Sequence, residues 1–404
     1  MATKGGYNTY VNECAYENQS FYFEKGQDAR ICAELRMLGS KRVLIISSET
    51  VSSYKNVDDF IHKIEAEGFR TFFYTRRSTY SSSSDISGAA SVYREFNCDT
   101  IVVFGGSIDI FCAKMVSGMV VNNIKEPSEL SGYGKLKKDI SVLCCVGMDN
   151  STAISSNIAE FRDEKTGRWV TVLSNYLVPQ IAVVDTDIAM RTYTKDSISS
   201  ALDSLVTAVE CSLMPINVYN PVHKACAHDA ISLVADNLMN MKKYPDDAFL
   251  RKKVATAGIY AGTAVRSFGL GYAHILTNVL KTRYGPEYDT YYPHIMSNLL
   301  EGSFELVKGE ISRIYNELVK DEVRPGLPGY ESHLVRYYNE HESARAFIEI
   351  LKGFYRAANP DAPWRLNIDQ NHVAGICEEV RATAAEFGQD MIDLALLQKI
   401  VTTL

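Results

Sequence analysis

A chain of 404 residues is longer than one ordinary hydrophobic core serves, so two domains are expected. Its 46% hydrophobic and 23% charged residues are those of a soluble globular protein, and a net charge of −7 without a Lys/Arg run argues against a nucleic-acid binder. Nine scattered cysteines without a CxxC pair, no apolar run near the ~20 residues of a membrane span, and a start lacking a signal-peptide core together predict a reduced, cytoplasmic chain.

The N-terminal half alternates strands and helices. Residues 21–23 read as a short strand and 28–38 as a helix. The apolar run 43–46 then suits a parallel strand covered on both faces. A helix over 57–67, a strand over 71–74, a serine-rich loop over 78–84 and a helix over 86–96 follow. Buried strands are expected at 100–104 and 140–146, with a helix over 110–122 between them. Helical segments of this length between strands imply right-handed βαβ units in an open parallel sheet. Residues 161–172, FRDEKTGRWVTV, read as a hairpin turning at Lys165-Thr166-Gly167, and 181–185 as the last strand.

From Lys195 onward the apolar residues take helical period, over 198–210, 223–239, 248–267, 273–281 and 295–322. Arg324-Pro325-Gly326-Leu327-Pro328-Gly329 is a break, after which helices resume near Ser332, Ala344, Val373 and Asp390. The expected architecture is an α/β nucleotide-binding domain with an open parallel sheet over residues 1–188, then an all-α domain over residues 189–404.

Three stretches carry candidate chemistry. Gly105-Gly106-Ser107 joins a buried strand to an apolar helix, where glycines admit a diphosphate and the helix N-terminus supplies N–H donors. The same turn also occurs for close packing alone. Ser48 ends a preceding strand where an acidic residue would hold the ribose of NAD; a serine leaves NADP open, with Arg76 or Arg77 near its phosphate. In GLGYAHILTNVLKTRYGPEYDTYYPH, residues 269–294, His274 starts one apolar helix and His294 the next, so two imidazoles can meet. Asp203, at the edge of the apolar stripe Leu202, Leu205, Val206 and Val209, is the candidate third ligand. Two unrelated histidines and a surface aspartate fit the same pattern.

Taken in order, the strand–glycine–helix turn, the segment from Asp149, Asp203, His274 and His294 resemble the iron-containing alcohol dehydrogenase and dehydroquinate synthase-like superfamily, over roughly residues 20–310. The nearer branch is the glycerol dehydrogenases. Asp149-Asn150-Ser151-Thr152-Ala153-Ile154-Ser155-Ser156 is similar to that branch's D-A-P-T-S-A-L-S, and Thr207 stands where iron-dependent relatives carry a ligand histidine. The resemblance implies a divalent metal, zinc before iron, on Asp203, His274 and His294. It places NAD or NADP on Gly105, Gly106 and Ser107, with Ser48, Thr152 and Ser155 also on the cofactor, and gives Asp149 a catalytic role beside a substrate hydroxyl. The activity it implies is hydride transfer between a small alcohol or polyol, or the matching aldehyde or ketone, and a nicotinamide, in a homodimer or larger homo-oligomer without nucleic-acid or membrane partners.

The chain departs from that pattern mainly on the cofactor side. Ser107 replaces a third glycine and Phe111 an aspartate, while Lys114 remains. Leu143-Cys144 stand for Pro-Thr, Asn278 for a second histidine one turn after His274, and Ile295-Met296 for Gly-Glu. Two alternatives follow from these departures: a non-catalytic or diverged member, and a dehydroquinate synthase-like sugar-phosphate cyclase.

Overall fold

Apolar residues in the larger sheet alternate between two buried faces, and this sets the architecture of the N-terminal half. In the computed structural model, the described residues are 19–23, 26–137, 141–147, 151–191, 194–214, 220–319, 339–361, 365–387 and 392–404. In chain order the first elements are β1 (Ser20–Phe23), α1 (Asp28–Met37), β2 (Arg42–Ser48), α2 (Glu49–Ser52), α3 (Lys55–Ala66) and β3 (Arg70–Arg76). Then come α4 (Ser83–Glu95), β4 (Thr100–Gly105), α5 (Ser107–Asn122), β5 (Gly132–Tyr133), β6 (Val142–Gly147), β7 (Ile158–Arg162), β8 (Trp169–Leu173) and β9 (Ile181–Val184). Among the described residues, six strands pair in parallel in the order β1-β9-β6-β4-β2-β3. Leu44, Ile46, Ile101, Val103 and Cys145 pack on one face with α4 and α5, while Val43, Ile45, Val102, Cys144 and Val146 pack on the other with α1 and α3. Burial on both faces explains why these strands read as unbroken apolar runs.

The expected hairpin is present. β7 and β8 pair antiparallel from Ile158↔Leu173 to Arg162↔Trp169, and Gly167 takes a left-handed φ of +71° in the turn. One feature was not foreseen: β5 adds in parallel to β8, which makes a second, three-stranded sheet.

The remaining elements are helical: α6 (Thr186–Ala189), α7 (Thr194–Leu213), α8 (Pro221–Lys243), α9 (Ala248–Phe268), α10 (Tyr272–Tyr284), α11 (Tyr292–Gly302), α12 (Phe304–Leu318), α13 (Glu340–Ala358), α14 (Val373–Glu386) and α15 (Leu394–Thr403). Their apolar faces form the largest core, which Ile158 of β7 and Leu173 of β8 join. An α/β sheet half followed by a helical half is the fold class expected from the patterning. The single helix expected over 295–322 is instead two. At the break, a Cβ on Gly302 would lie 2.2 Å from Ile400, so the close approach of α15 fixes glycine there, and Ser303 leaves helical geometry. The helix expected near Ser332 and the break at 324–329 lie outside the described residues. No described helix is long and apolar enough to cross a membrane, and all eight described cysteines are unpaired.

Candidate active site

A cleft lies where the carboxyl ends of the parallel strands meet the helical half, with about 170 Å³ of free volume. From the sheet side it is lined by Ser107, Thr152 and Glu160, and from the helical side by Asp203, Glu210 and His274. The strand order turns back between β2 and β4, and α5 starts immediately beyond β4. That is the switch point at which open parallel sheets take ligands. Gly106, the N-cap of α5, offers no side-chain cap, and the Ser107 hydroxyl lies 2.8 Å from that of Ser151.

Around the glycine turn, an ion pair spans the crevice mouth. Arg76, at the end of β3, donates from Nε to Asp109 in the first turn of α5 (2.8 Å), and both side chains are buried. The Asp109 carboxylate folds over Gly105, where an added Cβ would meet it at 2.1 Å, so this glycine is required for close packing. Burial raises the Asp109 carboxyl, against the lowering charge of Arg76 and the N–H of Gly106. The expectation that Arg76 stands ready for an NADP phosphate is therefore corrected, because its guanidinium is already engaged. Behind the turn, the fully buried Lys114 donates to the carbonyls of Ser156 (2.7 Å) and Ile158 (3.0 Å), tying α5 to β7.

On the helical side, α7 and α10 approach so closely that a Cβ on Gly271 would strike Glu210. Glu210 accepts from Ala273 N–H (2.7 Å) and the Tyr292 hydroxyl (2.8 Å), which caps α10 with a buried carboxylate. Its carboxyl is raised by burial, against lowering by His274, Tyr292 and the Ala273 amide. Burial likewise lifts the Asp203 carboxyl to about 7, with Asp289 and Glu160 adding to the rise and His274 opposing it.

His274 is the hub of the cleft. Its Nε2 lies 2.7 Å from Glu160 Oε1 and its Nδ1 3.4 Å from the Tyr292 hydroxyl. Burial would lower this imidazole, but Glu160, Asp203 and Glu210 outweigh it and raise the ring to about 9. Burial would raise Glu160, yet the charges of His274 and Lys281 and hydrogen bonds from His274 and Asn278 hold it well below the carboxylate range. Thr171 adds a 3.0 Å hydrogen bond to the same oxygen. Lys281 lies on the Trp169 ring, 4.1 Å from its centroid, and pairs with Asp289 at 2.8 Å.

The predicted site residues are thus partly brought together. Asp203, His274, Ser107 and Thr152 share the cleft, and Thr207 lines it as well. His294 does not join them. Its ring is buried and stacks on Tyr355 of α13 at 5.2 Å between centroids, with the Asn298 amide 3.3 Å from Nε2. The three-ligand set Asp203, His274 and His294 is therefore corrected: the first turn of α11 aims His294 at α13. Ser155 is also corrected, since it is fully buried with its hydroxyl donated to the Ile259 carbonyl, clamping the turn to α9. Ser48 stands at the end of β2, where its hydroxyl accepts from Val51 N–H and caps α2. Asp149 lies outside the described residues.

Glu160, Glu210, Tyr292 and Lys281 were not anticipated. A charged residue inside the apolar run Ile158-Ala159-Glu160-Phe161 was the available signal for the first, and the i+7 spacing from Asp203 for the second.

Two family models match the chain in tandem: iron-containing alcohol dehydrogenase over residues 18–186, and the C-terminal part of the Fe-containing alcohol dehydrogenase family over residues 197–306. The chain belongs to the iron-containing alcohol dehydrogenase family. This is a family of oxidoreductases, and it implies NAD and a divalent metal. Its relatives include the NAD-dependent methanol dehydrogenase of Bacillus methanolicus, 21% identical over 67% of this chain and 72% of the relative. The 1,3-propanediol dehydrogenase of Klebsiella pneumoniae is 24% identical over 65% and 66%. Among solved structures, a 1,3-propanediol oxidoreductase superposes with a TM-score of 0.82 at 16% identity, covering 96% of this chain and 97% of that one. An NADH-dependent butanol dehydrogenase from Thermotoga maritima gives 0.80 at 15% identity over 97% and 98%. These superpositions establish the shared fold.

The residues present fit the two implied groups unequally. A helix N-terminus at the switch point, with Ser107 and Thr152 open to the cleft, fits a dinucleotide. The metal does not fit. Among the described residues no three His, Cys, Asp or Glu side chains converge on one point, and His274 is engaged by Glu160 and Tyr292.

Proposed function

We propose that this chain is an NAD(P)-linked oxidoreductase that interconverts a small alcohol or polyol and its aldehyde or ketone in the cleft around His274. The observation that supports this reading is the placement of Ser107 and Thr152 on the same cleft as Asp203 and His274, in a chain that the family's two models match in tandem. A nicotinamide dinucleotide supplies the hydride acceptor or donor when bound. The chain's own part is to seat the diphosphate on Gly106 and Ser107 at the start of α5 and to meet the substrate with polar side chains. Thr207, Asn278 and Thr290 offer hydrogen bonds to hydroxyls, and His274, held by Glu160 and Tyr292, lies in the same lining. Asp149 belongs to the proposal on resemblance alone. A zinc site on Asp203, His274 and His294 would require the His294 ring to leave Tyr355, and a homo-oligomeric state goes with the family.

The test is thermal stabilisation and tryptophan fluorescence with NAD and NADP, followed by a panel of small alcohols, polyols and aldehydes with whichever dinucleotide binds. The expected result is saturable binding of one dinucleotide and turnover of at least one substrate class. A response to neither dinucleotide would overturn the reading in favour of a non-catalytic member.

A further inference from the structure

The His274 imidazole has both nitrogens turned toward protein oxygens. Nε2 lies 2.7 Å from Glu160, and Nδ1 lies 3.4 Å from the Tyr292 hydroxyl, whose own proton goes to Glu210 at 2.8 Å. A carboxylate on one nitrogen is ordinary for a metal-ligating histidine, provided the other nitrogen faces the cation. Here that other nitrogen faces Tyr292, and the second candidate imidazole, His294, is stacked on Tyr355. Glu160 is itself fixed from several sides, with Thr171 and Asn278 donating to it and Lys281 Nζ 3.8 Å away. It is 5% exposed on β7, among the buried apolar residues Ile158, Ala159 and Phe161, where a carboxylate survives only because these partners compensate its burial.

We propose that Glu160 is a positioning residue that withholds His274 from metal, so that the cleft presents a carboxylate-held imidazole instead of a divalent cation. The Glu160–His274–Tyr292–Glu210 chain joins β7, α10, α11 and α7, and so holds the ring's orientation from both halves of the molecule. The proposal rests on the oxidoreductase reading and deepens it by stating what the cleft presents in place of a metal. It is tested on metal binding, independently of dinucleotide binding, so the two can fail separately.

The experiment measures metal content of the purified full chain by elemental analysis, and Zn2+ and Fe2+ affinity by calorimetry, for wild type, Glu160→Val, Glu160→Gln and His274→Ala. Valine suits the strand, and Lys281 keeps Asp289 as its partner, so the variant is expected to fold; circular dichroism checks this. Wild type should carry well under one metal per chain, and Glu160→Val, which releases His274 Nε2, should bind the cation more tightly than wild type. Glu160→Gln, which still accepts from Nε2, should stay at the wild-type level, and that rescue separates positioning from mere packing. Stoichiometric metal in wild type that is lost in His274→Ala overturns the proposal. So does a folded Glu160→Val that gains no affinity.

Discussion

The cleft's charges make stability pH-dependent at the level of single side chains. His274, raised to about 9 from an ordinary 6.5, contributes stability that is full below pH 6.5 and lost as pH rises through about 9. Asp203, raised to about 7 from 3.8, binds its proton more tightly when folded, so stability also falls as pH climbs from about 4 through 7. Glu160 works in the opposite sense, its contribution being present above its ordinary 4.5 and lost in acid. The melting temperature should therefore decline from pH 5 to pH 9.5, and Asp203→Asn should flatten the part below 7 and, by removing one of the charges that raise His274, move the remaining decline to lower pH. A wild-type melting temperature that rises across this range would contradict the sign. None of these shifts was visible in the sequence, because each needs a partner far along the chain: Glu160 and His274 are separated by 114 positions.

At the level of elements, close approach does the positioning. α9 lies against the turn after Ser151, and a Cβ on Gly262 would fall 2.3 Å from both the Thr152 carbonyl and the Ser155 hydroxyl. Backbone cannot yield as a side-chain tip can, so Gly262→Ala should cost about 1–3 kcal/mol in a urea titration. Because Thr152 lines the cleft, the same variant should also weaken dinucleotide binding. An unchanged urea midpoint would mean that the turn and α9 are less tightly joined than the structure has them. Element types followed from local periodicity, and within the described residues the expected helices and strands recur with small boundary shifts. The exceptions trace to tertiary contacts: β5 pairs because β8 offers an edge, and the long helix expected after His294 splits where α15 crowds Gly302.

Across the whole molecule, the crevice at the carboxyl ends of the sheet is bridged by Arg76 and Asp109, brought together from β3 and α5 on either side of the switch point. Removing one charge from a buried pair strands the other, so Asp109→Asn should cost about 3–5 kcal/mol, and Arg76→Met combined with Asp109→Leu should recover much of it. Chemical denaturation of the single and double variants measures this, and an Asp109→Asn chain as stable as wild type would refute it. The sequence by itself determined the parallel sheet, the helical half, the glycine turn and the candidacy of Asp203 and His274. It could do so because apolar spacing records which face of an element is buried. Only the tertiary structure decided that His294 turns to Tyr355 and that Glu160 takes the His274 ring. A side chain's direction depends on what the neighbouring element offers it, and spacing along the chain does not encode that.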